Sequence, residues 1–332
     1  MHKLCRPNLT AIFFKLNTEM PKQYFIAGDW GTSNLRLYLC QYLSPQETIS
    51  LETRYGQGIS EIQGDFEETF FNLTQDWLDK YGPMPVILSG MIGSNIGWKE
   101  APYLTCPVDS KQIANGRISF NTRGIEFSIL AGLRATNPLD APDVMRGEEL
   151  QLLGWMLSQH DQGPHDRLFA LPGTHNKWSR VIDNKIETFL TAFTGELFSL
   201  LRNHSILISD DSAISFNQGV FMQGVRAIEN LGGGHLVHAL FATRSKQVLG
   251  EMATTDGLSY ISGLIVGADI LGAVNLFTSD QQTLPITIIG EATLSQQYLM
   301  VLNYLGFDSD SCDPAKIAIS GFTEVYQTIY HD

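Results

Sequence analysis

The segment over residues 24–39 restricts the fold of this chain more than any other. An apolar run ends in Asp29, a turn of small polar residues follows, and leucines then alternate with arginine and tyrosine. That alternation has the two-residue period of a strand, so the segment predicts two strands joined by a tight turn. Phosphate loops more often run from a strand into a helix, whose N-terminus binds the anion. Here the backbone N–H groups of the turn would bind it instead.

The residue types of this turn suit the phosphates of a nucleotide. Gly31 begins the turn, and Thr32, Ser33 and Asn34 add hydrogen-bonding side chains. Asp29 at the strand end would lie beside the bound phosphates and hold Mg²⁺, usually through water because Mg²⁺ dehydrates reluctantly. An ordinary hairpin with a polar turn is the alternative that this segment alone leaves open.

Length and charge narrow the class of protein. At 332 residues the chain exceeds the usual size of one compact core and fits two lobes. A formal net charge of -13 at pH 7 opposes general binding to nucleic acids or anionic membranes, so an anionic substrate has to meet a local cationic pocket. Uninterrupted apolar runs are too short to cross a bilayer, because Gly and Asp interrupt even residues 258–277.

Two segments mark the boundaries of the folded parts. Residues 1–19 are basic and lack the apolar core of a secretory signal. Because Met20 stands just before the first strand, we expect 1–19 to be a disordered or non-native extension, with a basic organellar leader as the alternative. The polar stretch 158–166 contains Gly-Pro and separates two apolar blocks, which predicts an N-terminal lobe over 20–160 and a C-terminal lobe over 167–332.

A second hairpin of the same design begins the C-terminal lobe. Residues 168–181 again read as an apolar strand, a turn and an alternating strand, with Gly173, Thr174 and His175 in the turn. Strands followed by helices in both halves predict an α/β fold with covered sheets. Two related lobes with one hairpin each would clamp a triphosphate in a central cleft, which resembles the arrangement of the actin-like sugar kinases.

Two further segments carry candidate site residues. Glu148 and Glu149 occupy the first turn of a predicted helix just before the second hairpin, where a two-lobed kinase needs a carboxylate; simple N-terminal capping is the alternative. Residues 286–298 read as strand, glycine turn and helix. Gly290 would let an adenine or ribose approach the backbone, and Ser295 or Thr293 is the predicted cap of the helix.

Five motifs in order closely resemble the 2-dehydro-3-deoxygalactonokinase family. They are residues 29–36, 89–99, 145–149, 171–178 and 194–197, with further matches at 248–250 and 258–268. The resemblance implies ATP-dependent phosphorylation of 2-dehydro-3-deoxy-D-galactonate at its terminal (6-) hydroxyl, in galactonate catabolism. It also implies two ribonuclease-H-like lobes, the fold shared with hexokinase and actin.

The resemblance implies a role for each candidate residue. Asp29 would organise Mg²⁺, and the two hairpin turns would bind the phosphates of ATP, with Gly290 and Ser295 at the nucleoside end. Glu148 would accept the proton of the attacking alcohol; a similarity to exopolyphosphatases favours it over Glu149 without deciding between them. His175 is expected to donate or accept a hydrogen bond rather than hold a metal, because no second His or Cys lies at ligand spacing.

The sugar acid is expected to bind at residues 89–99. Ser94 and Asn95 would bond its hydroxyls, Trp98 would lie against its carbon chain, and Lys99 would meet its carboxylate. Core packing is the alternative for Trp98, and a solvated surface charge is the alternative for Lys99. Three other cations, namely Arg36, Arg146 and Lys177, are further candidates for binding carboxylate or phosphate.

Several competing functions remain open on the sequence alone. A phosphatase or polyphosphate hydrolase, a kinase of a related 2-keto-3-deoxy sugar acid, and a non-catalytic nucleotide-binding protein of the actin type would use the same lobes. A Rossmann dehydrogenase is disfavoured, because Gly31 leads into a strand and no Gly-x-Gly-x-x-Gly opens a helix. The expected partner is a small sugar acid, without nucleic acid or membrane and with a homodimer allowed. Four cysteines without metal spacing favour a reducing cytoplasm.

Overall fold

The computed structural model describes residues 23–62, 65–158, 166–208, 215–278 and 284–331. The predicted extension over 1–19 and most of the predicted boundary between the lobes lie outside the described residues. The strands are β1 (Tyr24–Trp30), β2 (Asn34–Ser44), β3 (Glu47–Gln57), β4 (Val86–Ser89), β5 (Tyr103–Thr105), β6 (Val108–Asp109), β7 (Arg117–Thr122), β8 (Ile125–Leu130), β9 (Gly132–Thr136), β10 (Pro142–Met145), β11 (Arg167–Leu171), β12 (Asn176–Ile182), β13 (Lys185–Ala192), β14 (Ile286–Ile289) and β15 (Ser309–Cys312). The helices are α1 (Phe66–Tyr81), α2 (Ser110–Asn115), α3 (Glu148–Ser158), α4 (Gly195–His204), α5 (Gln218–Glu229), α6 (Leu236–Val248), α7 (Gly257–Phe277), α8 (Ala292–Tyr304) and α9 (Pro314–Tyr330).

Five strands of each six-stranded sheet have the same topology, which confirms the internal repeat. The first sheet has the order β3-β2-β1-β4-β8-β7, and the second has the order β15-β14-β11-β12-β13-β6. In each, three consecutive antiparallel strands are followed by two strands parallel to the first of them. This is the ribonuclease-H-like arrangement, present twice. Strand β6 belongs to the predicted N-terminal lobe in sequence but pairs with β13. A short segment of the N-terminal lobe therefore forms part of the second sheet.

The central core lies between the two sheets. It is formed by one face of each sheet together with α3 and α9, and includes Phe25 and Phe169 from the two first strands. A second core covers the outer face of the first sheet with α1. The outer face of the second sheet packs against α5, α7 and α8. Both sheets therefore have two buried faces, which explains why their first strands are largely apolar.

Helix α7 shows how burial explains an apolar segment. By length and composition, Thr254–Phe277 could cross a membrane, but 61% of its most apolar window is buried inside the protein. The helix is continuous across the glycines and Asp269 that interrupt its apolar sequence. One such helix, packed against α5, α6 and α8, is weak evidence for a membrane span.

Helices α3 and α9 cross so closely that only glycine fits at the contact. A Cβ atom on Gly154 would lie 2.0 Å from the carbonyl oxygen of Ile317, and one on Gly321 would lie 2.4 Å from that of Leu150. Backbone atoms cannot move aside as the end of a flexible side chain can. The two helices therefore depend on these glycines for their separation.

We expect Gly154→Ala to lower the free energy of unfolding by about 1–3 kcal/mol or more, because the methyl group forces the helices apart. Gly272→Ala in α7 is the matched control, since a Cβ there meets no atom of the described residues within 4 Å. It should raise stability by up to about 1 kcal/mol, because alanine favours a helix over glycine. Urea unfolding of both variants is the measurement, and equal effects would contradict the close-contact explanation.

Candidate active site

A cavity of about 1120 Å³ lies between the two lobes. Both predicted hairpins reach it, as do the N-termini of α3 and α9. The predicted site residues that line it are Asp29, Gly31, Thr32, Ser33, Asn34, Arg36, Arg146, Glu148, Gly173, Thr174, His175, Lys177, Gly290 and Ser295. The structure thus brings together, in one cleft, groups that are up to 266 positions apart in the sequence, from Asp29 to Ser295.

The turn of the first hairpin presents its polar side chains to solvent while two of its carbonyl groups are occupied. Thr32, Ser33 and Asn34 are exposed. The carbonyl oxygen of Gly31 accepts from the N–H of Ile59 at 3.0 Å, and that of Thr32 accepts from the N–H and the hydroxyl of Ser60 at 3.0 and 2.8 Å. With these two acceptors engaged, the exposed hydroxyl and amide side chains of the turn can donate to a ligand, as an anion requires.

The second hairpin is held in the same way by the start of α4. The N–H of Glu196 donates to the carbonyl oxygen of Thr174 at 2.9 Å. A Cβ on Gly195 would lie 2.3 Å from the carbonyl oxygen of Gly173, so only glycine allows this approach. His175 Nε2 lies 2.5 Å from a carboxylate oxygen of Glu196, in agreement with the predicted hydrogen-bonding role.

Asp29 lies on the face of the first sheet that points into the cavity. It stands opposite Arg36 in the β1–β2 pairing and opposite Ser89 in the β1–β4 pairing. Burial raises the pKa of its carboxyl group, and the positive charge of Arg36 opposes that rise. Gly90 packs beside it with φ +96°, and a Cβ there would lie 2.7 Å from the Trp30 carbonyl oxygen. The position after β4 therefore requires glycine, because a side chain there would collide with the backbone beside Asp29.

Glu148 is the carboxylate that faces the cavity from the first turn of α3. Its Oε2 accepts from the backbone N–H of Arg146 at 3.1 Å. Burial raises the pKa of Glu148, and the nearby ammonium of Lys177 opposes that rise. Lys177 is only 7% exposed, and its Nζ donates to the Val144 carbonyl oxygen at 2.9 Å and to Thr191 Oγ1 at 2.7 Å.

Glu149 points away from the cavity and supports the turn that precedes Glu148. It is completely buried. Its Oε2 accepts from the N–H of Gly147 at 2.6 Å, and its Oε1 accepts from the hydroxyl of Ser89 at 3.2 Å. Burial, followed by repulsion from Glu148, raises the pKa of Glu149 to about 8. The two glutamates that the sequence left unranked therefore occupy different places, one at the cavity and one behind it.

The structure corrects the prediction for residues 89–99. Of this segment only Gly90 and Met91 line the cavity, whereas Ser94, Asn95, Trp98 and Lys99 do not. The Trp98 ring packs in the outer core, 5.3 Å from Phe120 and 5.0 Å from Phe127 between ring centroids. Lys99 Nζ lies 5.7 Å from the centroid of Phe120. A large indole gains more from burial among aromatic rings than from a solvated cleft wall, which was the alternative for Trp98.

The nucleoside end also differs in detail from the prediction. Helix α8 is capped by Glu291, whose carboxylate accepts from the N–H groups of Thr293 and Leu294, rather than by Thr293 or Ser295. Ser295 is buried, its hydroxyl has no hydrogen-bond partner among the described residues, and it lies 3.2 Å from where a Cβ on Gly290 would be. Gly290 therefore leaves room beside a free hydroxyl.

Sequence reasoning missed one wall of the cavity. It is formed by two cross-strand rows of the first sheet, in which Tyr55 continues the row of Asp29 and Arg36, and Thr53 pairs with Tyr38. The alternation of β2 in the sequence predicted that Arg36 and Tyr38 share one face of the sheet. The same pattern did not predict that β3 pairs with β2 beside them.

The duplicated sheets and the cleft between them are the arrangement of the actin-like and hexokinase-type fold. Residues 29–325 match the family described as 2-keto-3-deoxy-galactonokinase, and the chain belongs to this family. It is 32% identical to the 2-dehydro-3-deoxygalactonokinase of Escherichia coli strain K12 over 286 residues, which are 86% of this chain and 91% of that protein. The chain is also similar to a Sinorhizobium meliloti protein whose crystal structure is described as that of a 2-dehydro-3-deoxygalactonokinase. The two proteins are 28% identical in sequence, and their structures superpose with a TM-score of 0.78 over 93% of this chain and 98% of the other.

We expect the raised pKa of Glu149 to make stability depend on pH. Its pKa rises from 4.5 to about 8 on folding, so the folded state holds the proton more tightly. The resulting stabilisation is complete below the unfolded pKa and is lost as pH rises through the folded pKa. Glu149→Gln keeps an acceptor for Gly147 but cannot ionise. Between pH 5 and pH 8, the wild type should therefore lose more unfolding free energy than the variant, by at least about 1 kcal/mol. Urea titrations that change in parallel across this range would refute the assignment.

Proposed function

We propose that this chain phosphorylates 2-dehydro-3-deoxy-D-galactonate at its terminal (6-) hydroxyl with ATP, in galactonate catabolism. Its family membership over residues 29–325 supports the reaction class and the substrate. The structural observation that carries the proposal is the position of Glu148, which faces a cleft bounded by two donor-rich hairpins. Transfer of a phosphoryl group to an alcohol requires a base that accepts the alcohol proton beside groups that bind the phosphates.

The phosphates of ATP are proposed to lie between the turns at 31–34 and 173–175. The protein engages the carbonyl oxygens of Gly31, Thr32 and Thr174 in these turns, and the hydrogen-bond donors beside them suit phosphate oxygens. The N-termini of α3 and α9 at the same cavity add the positive ends of two helix dipoles. The nucleoside is proposed to lie along Gly290 and Ser295, at the start of α8.

Asp29 is proposed to hold Mg²⁺ together with the phosphates. The described residues contain no group of three or more His, Cys, Asp and Glu that would form a metal site by themselves. Mg²⁺ does not need one, since it usually keeps several waters and is held by one or two carboxylates plus phosphates. One half-buried carboxylate beside the first hairpin fits that mode of binding. The ion would supply positive charge against the triphosphate.

Glu148 is proposed to take the proton of the acceptor alcohol. The alcohol oxygen bonds to the γ-phosphorus, the bond from that phosphorus to the bridging oxygen breaks, and ADP leaves. The proton passes to Glu148 late in the transfer, and the raised pKa of this carboxylate makes it a better acceptor near neutral pH. Lys177 keeps the carboxylate ionised before the transfer.

The carboxylate of the sugar acid is proposed to meet a cation of the first lobe. Arg146 is 8% exposed, and its guanidinium stacks 4.3 Å from the Tyr103 ring centroid. It bonds main-chain carbonyl oxygens, and no carboxylate of the described residues lies within ion-pair distance of it. A buried cation without an ion-pair partner among the described residues, at a cavity wall, favours an anionic ligand. Arg36, beside Asp29, is the second candidate, for carboxylate or phosphate.

The cysteines support a proposed cytoplasmic location, and exposed apolar side chains bear on the oligomeric state. Burial raises the pKa of the Cys106 thiol to about 12, and it also raises the pKa of Cys40, as expected for inert thiols in a reducing cytoplasm. Val237 and Phe241 of α6 are exposed apolar side chains and allow a homodimer.

We expect Glu148→Gln to lower turnover by about 10²–10⁴-fold while the protein stays folded, because the amide cannot accept the proton. Glu68→Gln is the matched control, since Glu68 is an exposed first-turn glutamate of α1 outside the cavity. The measurement is steady-state ATP consumption with saturating sugar acid. Near-wild-type activity of Glu148→Gln would move the role to another carboxylate.

A substrate panel tests the reaction and the acceptor together. In a coupled assay of ADP formation with several 2-keto-3-deoxy sugar acids, we expect the galacto-configured acid to be phosphorylated with the highest kcat/KM. Equal values for all acids would contradict the galactonate assignment and leave the kinase intact. Release of phosphate from ATP at the same rate without any sugar acid would contradict the kinase itself.

A further inference from the structure

A half-buried carboxylate outside the cavity connects three elements of the second lobe. Asp269, in α7, accepts hydrogen bonds from three side chains. Asn176 Nδ2 and the Tyr298 hydroxyl each lie 2.6 Å from its Oδ2, and Trp178 Nε1 lies 2.9 Å from its Oδ1. All three donors are at most 1% exposed. The reaction described above makes no use of this cluster, and it does not line the cavity.

The three donors belong to the elements that border the proposed nucleotide. Asn176 directly follows the turn of the second hairpin, and Trp178 lies two positions further along β12. Tyr298 lies in α8, one turn after Ser295 at the nucleoside end. The Tyr298 hydroxyl also interacts with the side chain of Thr194, which precedes α4. One carboxylate therefore touches the supports of both ends of the site.

We propose that Asp269 is a positioning residue for the nucleotide, and that it holds the second hairpin and α8 in one fixed relation. This inference rests on the proposed binding of ATP along the second lobe. A triphosphate and its nucleoside bind together only if their two supports keep the right separation. A set of hydrogen bonds to a shared anion fixes that separation more firmly than apolar packing alone, because each bond has a required direction.

The chemistry of the cluster favours an ionised carboxylate. Indole N–H and amide N–H groups can only donate, and both point at Asp269. A protonated acid would have to donate its own O–H to the Tyr298 hydroxyl, which reverses the direction of that bond. Hydrogen bonds to a charged group are stronger than neutral ones, so loss of one donor is expected to be measurable.

Tyr298→Phe tests the proposal with the smallest change in volume. It removes the bond between α8 and Asp269 and leaves the ring in the core. We expect the dissociation constant for the β,γ-imido analogue of ATP, measured by calorimetry, to rise about tenfold. The KM for the sugar acid should stay within about twofold, since the acid is proposed to bind the first lobe. Asp269→Asn should weaken nucleotide binding further, because its amide faces three donors.

Tyr326→Phe is the matched control. Tyr326 is fully buried in α9, and its hydroxyl makes no hydrogen bond to the described residues. Loss of this hydroxyl should change neither the dissociation constant for the ATP analogue nor the KM for the sugar acid. Unchanged analogue binding by Tyr298→Phe, or equal rises in the constants for analogue and sugar acid, would overturn the positioning role. Failure of the wild type to bind the analogue would instead overturn the proposed function, and this inference with it. Tyr298→Phe decides the matter even if Asp269→Asn fails to fold.

Discussion

The close crossing of α3 and α9 is the contact on which the site depends. Both helices begin at the cavity, and they touch about two turns later at Gly154 and Gly321, where a side chain would strike the backbone of the other helix. This contact sets how far apart the two sheets lie. It thereby sets the width of the cleft and the position of Glu148 at the start of α3. The geometry of the cleft and the packing of the core are thus linked through two glycines that do not line the cavity.

The two lobes share a topology but contribute different chemistry. The first supplies the carboxylates Asp29 and Glu148, and the second supplies the groove along Gly290 and Ser295. Lys177 joins them, because it extends from β12 to the carbonyl oxygen of Val144 in β10. Repulsion between the two carboxylates is moderated by this cation and by Arg36. An acidic chain can in this way keep a cleft in which anionic ligands are accepted.

Much of the fold was predictable because it is encoded locally. The alternation of apolar and polar residues in 24–39 and 168–181 predicts strands joined by turns. Its occurrence in both halves of the chain indicates two lobes. The lining of the cavity by both turns, by Asp29 and by Glu148 was predictable for the same reason. By contrast, Trp98 and Lys99 were assigned to the substrate from their residue types alone. A tryptophan or lysine has the same type in a core, on a surface or in a site, so type without position could not decide.

By itself, the sequence determined the two hairpins, the acidic start of α3 and the family to which the chain belongs. Only the tertiary structure decided which glutamate faces the cavity, since Glu148 and Glu149 are neighbours on a helix and point in different directions. It alone brought β3 to the cavity wall and gathered Asn176, Asp269 and Tyr298 from three elements around one carboxylate. The physical reason is that local pattern reports which face of an element is apolar, whereas the packing of distant elements decides what each polar group meets.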